Sequence, residues 1–438
     1  MSAAQRALER LHQINRLCLS DGRRLSALIT VDGFEPWWFV QDYLLWQVIA
    51  KSSKRSSLSL LTIARNIVLF FVSLWTIFRY TKRSPILLYS VDTGSEIDPR
   101  LGEVIAEVSQ EPAQLVKIHH VLSAKQSLCH LPSRNNSLYF EPLVSALRPF
   151  LRLQHPMPSV GDSESLYEEC KQGLIAAYQA SLTYRACKLV LSVLKPRSLL
   201  CLDDSRHAYP LVAAAKHLGI KTIGLQHGLN LNEYFPGHTC IGFSAKRSHA
   251  YDDYLFWSDY FRNRFLPLSE IYSESNTHVS GALRSLPAQS SVNRARETVR
   301  VLAIEESELP SREFTPYQDA LNVDPRIKLS IRQRSDNEYQ SLSDALSDAD
   351  VVIGAYSSVL YEAIAALRPV IVIPSKHHLS AAHLAAENLA DLFLSPSSAT
   401  DTVLRAALIH RTVLEQRRRI VWGDTQLDGL AYVVKVSG

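Results

Sequence analysis

Residues 351–374 constrain the fold more than any other stretch of the chain. They run VVIGAYSSVLYEAIAALRPVIVIP. The apolar run that ends at Gly354 is typical of a strand covered on both faces, the residues from Ser358 onward have helical spacing, and a second apolar run follows. The stretch therefore predicts a strand, a turn with two serines, a helix and a second parallel strand, which is the βαβ unit of an α/β protein.

The turn of this unit is the first candidate binding site. Ligands of open parallel sheets bind beyond the carboxyl ends of the strands, where helix N-termini attract anions. Ser357 and Ser358 follow Gly354 at such an end, and Glu362 comes one helical turn later. The hydroxyls could bind a phosphate and the carboxylate could accept hydrogen bonds from a ribose. The alternative is that Ser357 only caps the helix and Glu362 is a solvated side chain.

A second βαβ pattern occupies residues 198–228. A predicted strand at 199–202 is followed by Asp203 and Asp204, and a strand at 220–225 is followed by His227. Neighbouring strand ends would bring a carboxylate and an imidazole close enough to deprotonate a substrate hydroxyl. The alternative is that Asp204 caps the next helix and His227 packs in a loop.

Two arginines end an alternating segment at 327–334. Arg332 and Arg334 are predicted on one face of this strand, and their planar guanidinium groups suit phosphate or carboxylate. A solvated edge strand is the alternative. The sequence has neither GxGxxG nor GxxxxGK[ST], so it gives no motif support for a dehydrogenase or a P-loop NTPase.

Length and charge predict how the chain is divided. At 438 residues it exceeds the size of an ordinary single core. We predict a basic, aromatic-rich segment at 1–84 and Rossmann-like domains at 85–280 and 281–438. The net charge is +4, but residues 1–84 hold twelve Lys and Arg against five acids, which is +7. This asymmetry indicates a negatively charged surface as partner rather than nucleic acid.

The N-terminal segment raises the question of a membrane. Residues 60–78 are apolar apart from Arg65 and Asn66. They could span a bilayer, lie in its interface or pack against the first domain, and the flanking positive charges favour the interface. The six cysteines show no CxxC spacing, and the N-terminus is too charged for a signal peptide. We therefore expect free thiols and a cytoplasmic protein, peripheral on the inner face of the cell membrane.

Three motifs resemble a known superfamily. They are GLQHG at 224–228, the stretch 279–284 with Gly281, and ADVVIGAYSSVLYEAIAALRPVIVI at 349–373. They are similar to those of GT-B glycosyltransferases of bacterial surface-polysaccharide synthesis, including CDP-glycerol glycerophosphotransferases, polysialyltransferases and capsule Kdo transferases. Asp203 and Asp204 resemble the acidic pair of the polysialyltransferases, except that Ser205 replaces their glycine. The resemblance covers about residues 198–390.

The resemblance implies an α/β fold of two Rossmann-like, doubly wound domains that face a cleft. The C-terminal half would bind a nucleotide-activated sugar and the N-terminal half a glycan or lipid-linked glycan acceptor of capsule or lipopolysaccharide. It implies catalysis by Asp204, His227 and Asp203, and no metal or other cofactor. The residues implied for donor binding are Ser357, Ser358, Glu362, Arg332, Arg334, Gly281 and Gly354. A UDP-N-acetylglucosamine 2-epimerase and a non-catalytic scaffold remain the alternatives.

Overall fold

The structure is a computed structural model, and its described residues form two compact units. It describes residues 34, 36, 60–92, 115–121, 136–147, 150, 164–202, 208–226, 250–269, 271–282, 286, 297–304, 311–332, 341–374 and 381–423. The first unit contains one parallel sheet and the second contains another. Ser258–Phe261 groups with the second unit.

The first unit is built on a sheet of seven described strands. The strands are β1 (Ile86–Asp92), β2 (Leu115–Val121), β3 (Ser137–Tyr139), β4 (Ser198–Cys201), β5 (Lys221–Leu225), β6 (Asp253–Phe256) and β7 (Thr277–Val279). Their order is β3-β2-β1-β4-β5-β6-β7, and every described pair is parallel. The strand order reverses between β1 and β4, which makes the sheet doubly wound.

Helices cover this sheet. They are α1 (Leu60–Tyr80), α2 (Phe140–Leu147), α3 (Glu164–Leu194) and α4 (Tyr209–His217), and α5 (Asp259–Phe265) follows β6. The helical pattern at 163–194 predicts one long helix or two, and the structure has one continuous helix, α3. Cys187 on α3 and Cys201 on β4 are buried free thiols, as predicted, and burial raises the pKa of Cys187 well above its ordinary value.

The helix α1 lies along the edge strand β3. Leu69, Ser73, Thr76 and Tyr80 form its buried stripe. Ser73 Oγ accepts a hydrogen bond from the Tyr139 N–H at 2.9 Å, and Thr76 Oγ1 donates to the Ser137 carbonyl at 2.8 Å. The hydroxyls therefore satisfy backbone groups of an edge that would otherwise be open to pairing with another chain.

The second unit contains a smaller parallel sheet. Its strands are β8 (Val299–Ile304), β9 (Ile327–Arg332), β10 (Val351–Gly354), β11 (Val370–Val372) and β12 (Asp391–Leu392), in the order β12-β11-β10-β8-β9. The order reverses between β8 and β10, so this sheet is doubly wound as well. Its core includes Val351, Ile353 and a stacked pair, Tyr317 and Phe393, whose ring centroids are 4.9 Å apart. The predicted pair of doubly wound domains is confirmed.

The helices of the second unit depart from the sequence prediction in one place. They are α6 (Ser311–Val323), α7 (Leu342–Asp348), α8 (Val359–Ala365), α9 (Ala382–Ala386), α10 (Ala399–Ala407) and α11 (Arg411–Trp422). The sequence at 400–419 predicts one helical segment, and this prediction is wrong, because α10 and α11 are separate helices. His410 has an extended backbone there, and its ring accepts a hydrogen bond from the Thr412 N–H, so it starts α11 as an N-cap.

Candidate functional site

The candidate donor site lies at the carboxyl end of β10. This strand neighbours β8 at the point where the strand order of the second sheet reverses. Gly354 is the last residue of β10, and Ala355 to Ser358 turn the chain into α8. Ligands of doubly wound sheets bind at this kind of position. The predicted βαβ unit therefore places its serines at the strand end where doubly wound sheets bind their ligands.

The two serines of the turn differ in their hydrogen bonding. Ser357 Oγ accepts a hydrogen bond from the Val359 N–H at 3.3 Å, so the capping role left open for Ser357 is observed. Ser358 has helical backbone angles, and its side chain makes no capping hydrogen bond. Both residues are half-buried. Ser358 is consequently the serine whose hydroxyl the helix start does not use.

Glu362 is buried rather than solvated. It lies in the first turn of α8, with a residue exposure of only 5%. The alternative of a solvated side chain is therefore wrong. A carboxylate near a helix N-terminus is stabilised by the helix dipole, and a buried one must have hydrogen-bond partners. Glu362 thus has a structural role in addition to any role in binding.

A tyrosine and a histidine that the sequence interpretation did not select lie at the same edge of the sheet. The Ala381 N–H donates to the Ala355 carbonyl at 2.7 Å, which fixes the start of α9 beside the end of β10. From there His383 Nε2 lies 2.7 Å from the hydroxyl of Tyr361 on α8. His383 lies in an alanine-rich helix with no neighbouring motif. Only the contact with Tyr361 indicates that His383 belongs to this edge of the sheet.

Of the two arginines predicted to bind the donor, the structure describes only Arg332. Arg332 is the last residue of β9, a strand at the edge of the second sheet, and its Nη1 donates to the Ser341 carbonyl at 3.5 Å. The edge-strand alternative is therefore observed. Arg332 still lies at the same carboxyl edge as Ser358, because β9, β8 and β10 are parallel neighbours. Arg334 lies outside the described residues.

Gly281 belongs to the first unit. It follows β7 with a φ of +94°, a backbone conformation that favours glycine. Ser280 joins this turn to the sheet, since its N–H donates to the Phe256 carbonyl at 2.9 Å. Gly281 is therefore not in the same unit as Ser357 and Ser358.

In the first unit, the predicted catalytic residues follow described strands but are not themselves described. Asp203, Asp204 and His227 lie outside the described residues. The strands before them, β4 and β5, are parallel neighbours, with Cys201 opposite Gly224. The strands β4 and β5 therefore both end at the carboxyl edge of the first sheet.

The GLQHG motif begins with residues that hold the sheet together. Gln226 is buried, its N–H donates to the Leu255 carbonyl at 3.0 Å, and its Oε1 accepts from the Trp257 N–H at 2.9 Å. Gln226 thereby links the carboxyl ends of β5 and β6 directly before His227. Gly224 lies under the rings of Tyr251 and Tyr254, which leave no room for a Cβ.

Within the part of the chain that the structure describes, no group of three or more His, Cys, Asp or Glu side chains could hold a metal ion. One described helix, α1, is long and apolar enough over Ile63–Tyr80 to cross a membrane, by length and composition only. Core helices of other proteins and signal sequences share this length and composition.

Comparison with known proteins identifies the fold. No protein-family model and no curated protein matches the sequence. Among solved structures, the glycotransferase of kitacinnamycin has a TM-score of 0.52 at 14% identity, with 81% of this chain and 98% of that chain covered. CalG4, the calicheamicin glycosyltransferase, has a TM-score of 0.50 at 14% identity, with 81% and 97% covered. The two doubly wound units of this chain are those of the GT-B fold.

Proposed function

We propose that the chain is a glycosyltransferase that moves a sugar, or a sugar-like polyol phosphate, from a nucleotide-activated donor to a surface polysaccharide acceptor such as capsule or O-antigen. The observation that supports this most is the turn after β10. It combines the reversal of strand order, the hydroxyl of Ser358 and the buried carboxylate of Glu362 at one sheet edge. Sheet edges of this kind bind nucleotides.

The second unit would hold the donor. Ser358, oriented by the turn that Ser357 caps, would donate a hydrogen bond to a phosphate oxygen. Glu362 would orient the ribose, and Arg332 with Arg334 would offset the negative charge that develops on the leaving nucleotide. With guanidinium groups in this role, the reaction would need no essential metal.

The first unit would hold the acceptor and the base. Asp204 and Asp203 follow β4, and His227 follows β5, which is hydrogen-bonded to β4. An imidazole held beside a carboxylate can take the proton from an acceptor hydroxyl as the new glycosidic bond forms. Gln226 would be a positioning residue, because its two hydrogen bonds to the backbone fix the chain directly before His227.

A thermal-shift screen with CMP, CDP, UDP and GDP tests the donor site. A nucleotide at about 100 times its Kd stabilises the folded state by about 2.7 kcal/mol. We expect one of the four to raise the unfolding temperature of the full chain, and Ser358→Ala to reduce the shift. Glu362→Gln should reduce it as well, and this substitution preserves the shape of the buried side chain.

The control is Ser397→Ala, which removes an exposed hydroxyl from the same unit and should leave the shift unchanged. If none of the four nucleotides gives a shift, the donor-site proposal is wrong. Consumption of a nucleotide-sugar without any acceptor would instead indicate an epimerase. Binding without turnover, together with normal polymer assembly by an Asp204→Ala/His227→Ala variant, would indicate a scaffold.

A further inference from the structure

The helix α1 differs from an ordinary surface helix, because several of its largest apolar side chains face outward. Its buried stripe includes the small hydroxyl side chains of Ser73 and Thr76. Its opposite side exposes large apolar side chains, with Phe71 at 63%, Trp75 at 63% and Phe78 at 78% exposure. A helix that only covered a core would place these aromatic rings inward.

The hydrogen bonds of the inward face fix this orientation. Ser73 and Thr76 pair with backbone groups of β3, at 2.9 and 2.8 Å. Rotating α1 to bury its aromatic side chains would leave those edge groups of β3 without these partners. The outward position of the apolar face is therefore a consequence of how the sheet edge is closed.

The outward face is continuous and carries no charge. At 100° per residue, Ile63, Ile67, Phe71, Leu74 and Phe78 follow one another along it, over a distance of about 22 Å. All five are exposed. Arg65 and Asn66, which interrupt the apolar sequence, project toward the sides of the buried stripe and bond to each other at 2.8 Å. An exposed apolar patch of this kind marks an interaction site.

The charge around the patch indicates the chemistry of its partner. No Asp or Glu occurs in residues 43–91, whereas the same stretch contains seven Lys and Arg. Three of them, Arg79, Lys82 and Arg83, are exposed at the C-terminal end of α1. The guanidinium groups of Arg79 and Arg83 lie 5.9 and 5.7 Å from the centroid of the buried Tyr80 ring, and these contacts keep both charges at the C-terminal end of α1.

We propose that the outward face of α1 is a docking surface for an anionic lipid bilayer, in which the helix lies parallel to the membrane plane. The aromatic and aliphatic side chains would enter the boundary between headgroups and acyl chains, while Arg79, Lys82 and Arg83 would pair with lipid phosphates. A perpendicular, spanning orientation would carry β3 into the hydrocarbon, because α1 is hydrogen-bonded to that strand. This proposal does not depend on the proposed glycosyl transfer.

Vesicle co-sedimentation of the full chain tests the proposal. The probes are vesicles of phosphatidylcholine mixed with phosphatidylglycerol, and vesicles of phosphatidylcholine alone. We expect binding to the anionic vesicles, and a loss of at least about tenfold in partitioning for Phe71→Ser/Trp75→Ser/Phe78→Ser. The variant Arg79→Gln/Lys82→Gln/Arg83→Gln should lose about fivefold per charge on anionic vesicles only.

A matched control removes three exposed apolar side chains from the second unit. Val323→Ser/Leu394→Ser/Leu408→Ser should bind vesicles like the unsubstituted chain. Thermal unfolding of each variant checks folding, and the α1 variants should keep the original unfolding temperature because their side chains are exposed.

Three results would overturn the proposal. The first is undiminished vesicle binding by the aromatic variant, which would place the membrane contact elsewhere. The second is a change from dimer to monomer in light scattering without a change in vesicle binding, which would make the face an interface with a second copy. The third is a large fall in unfolding temperature with unchanged vesicle binding, which would show that another segment of this chain covers the face.

Discussion

The two adjacent serines after β10 have different tasks, although the sequence treats them alike. Ser357 caps the helix start, whereas the side chain of Ser358 makes no capping bond. We predict that Ser357→Ala lowers the free energy of unfolding by about 1 kcal/mol, because the Val359 N–H loses its acceptor. Ser358→Ala should change it by less than about 0.5 kcal/mol and should weaken nucleotide binding.

Urea unfolding of the two variants measures the first quantity, and nucleotide titration measures the second. Each variant serves as the control for the other, since one hydroxyl is removed from neighbouring positions. Equal losses of stability with equal nucleotide affinity would contradict this division of roles.

Gly224 illustrates how a motif residue can serve packing rather than chemistry. A Cβ at this position would lie 2.5 Å from Tyr254 Cδ2 and would also overlap the ring of Tyr251. We predict that Gly224→Ala destabilises the first unit by about 1–3 kcal/mol, because the buried rings cannot move apart freely. Chemical denaturation provides the measurement. Gly219→Asn is the control, because its Cβ would enter open space and asparagine tolerates the φ of +71°.

At the residue scale, the sequence predicted positions better than roles. It located Ser358 and Glu362 at a strand end, because apolar runs and helical spacing are visible in one chain. It did not show that Glu362 is buried, or that Gln226 supports the backbone, because burial depends on contacts with distant segments. His383 was missed for the same reason, since its partner Tyr361 is 22 residues away.

At the scale of single elements, a buried arginine holds the end of α7. Arg368 lies between α8 and β11 in the sequence. Arg368 is 2% exposed, and its Nε and Nη2 donate to the carbonyls of Leu346 and Ser347, each at 3.0 Å. These carbonyls lie in the last turn of α7, where helices leave acceptors without partners. Burial lowers the pKa of Arg368 from its ordinary value.

We predict that Arg368→Met lowers the free energy of unfolding by about 2–4 kcal/mol, because the buried Leu346 carbonyl and the partly buried Ser347 carbonyl lose their donor. Calorimetry of the full chain measures the loss. The control is Arg405→Met on the exposed side of α10, for which we expect a change within about 0.5 kcal/mol. Equal unfolding temperatures for both variants would show that Arg368 does not hold α7 in place.

A charged cluster links the amino ends of three strands in the first unit. Asp253 on β6 pairs with Lys221 on β5 at 2.6 Å and with His278 on β7 at 2.9 Å. Partial burial alone would raise the pKa of Asp253, but the hydrogen bonds and charges of Lys221 and His278 outweigh it and lower the pKa. This cluster lies at the amino ends of the strands, whereas Asp203, Asp204 and His227 follow the carboxyl ends of β4 and β5.

The lowered pKa predicts a dependence on acid. The stabilisation by this pairing is complete above the pKa of Asp253 in the unfolded chain, which is about 4. It is lost as the pH falls through the lower pKa of Asp253 in the folded chain. We therefore expect Asp253→Asn to be less stable than the original chain at neutral pH, and the difference to shrink toward pH ~2. Thermal unfolding across this range measures it. A difference that stayed constant with pH would contradict the pairing, and Asp319→Asn, on an exposed part of α6, is the control.

The elements that the sequence predicted best are the buried parallel strands. The apolar run at 351–354 matches β10 residue for residue. The break between α10 and α11 could not be predicted, because His410 is an unusual N-cap. For α1 the sequence left three alternatives, and only the contacts with β3 show which side of the helix faces the sheet.

At the scale of the whole molecule, the sequence predicted two doubly wound units but not the strand orders. Those orders depend on which strands pair across long stretches of chain, and a single sequence does not show such pairings. They locate the reversal between β8 and β10, and with it the proposed donor site.

Hydrogen–deuterium exchange of the full chain, with and without the nucleotide that gives the largest thermal shift, tests the central claim most directly. If the donor binds at the turn after β10, backbone amides of residues 355–362 should exchange more slowly with nucleotide present, and Ser358→Ala should diminish this protection. Protection confined to the first unit, or no protection at residues 355–362 at a saturating nucleotide concentration, would contradict the account.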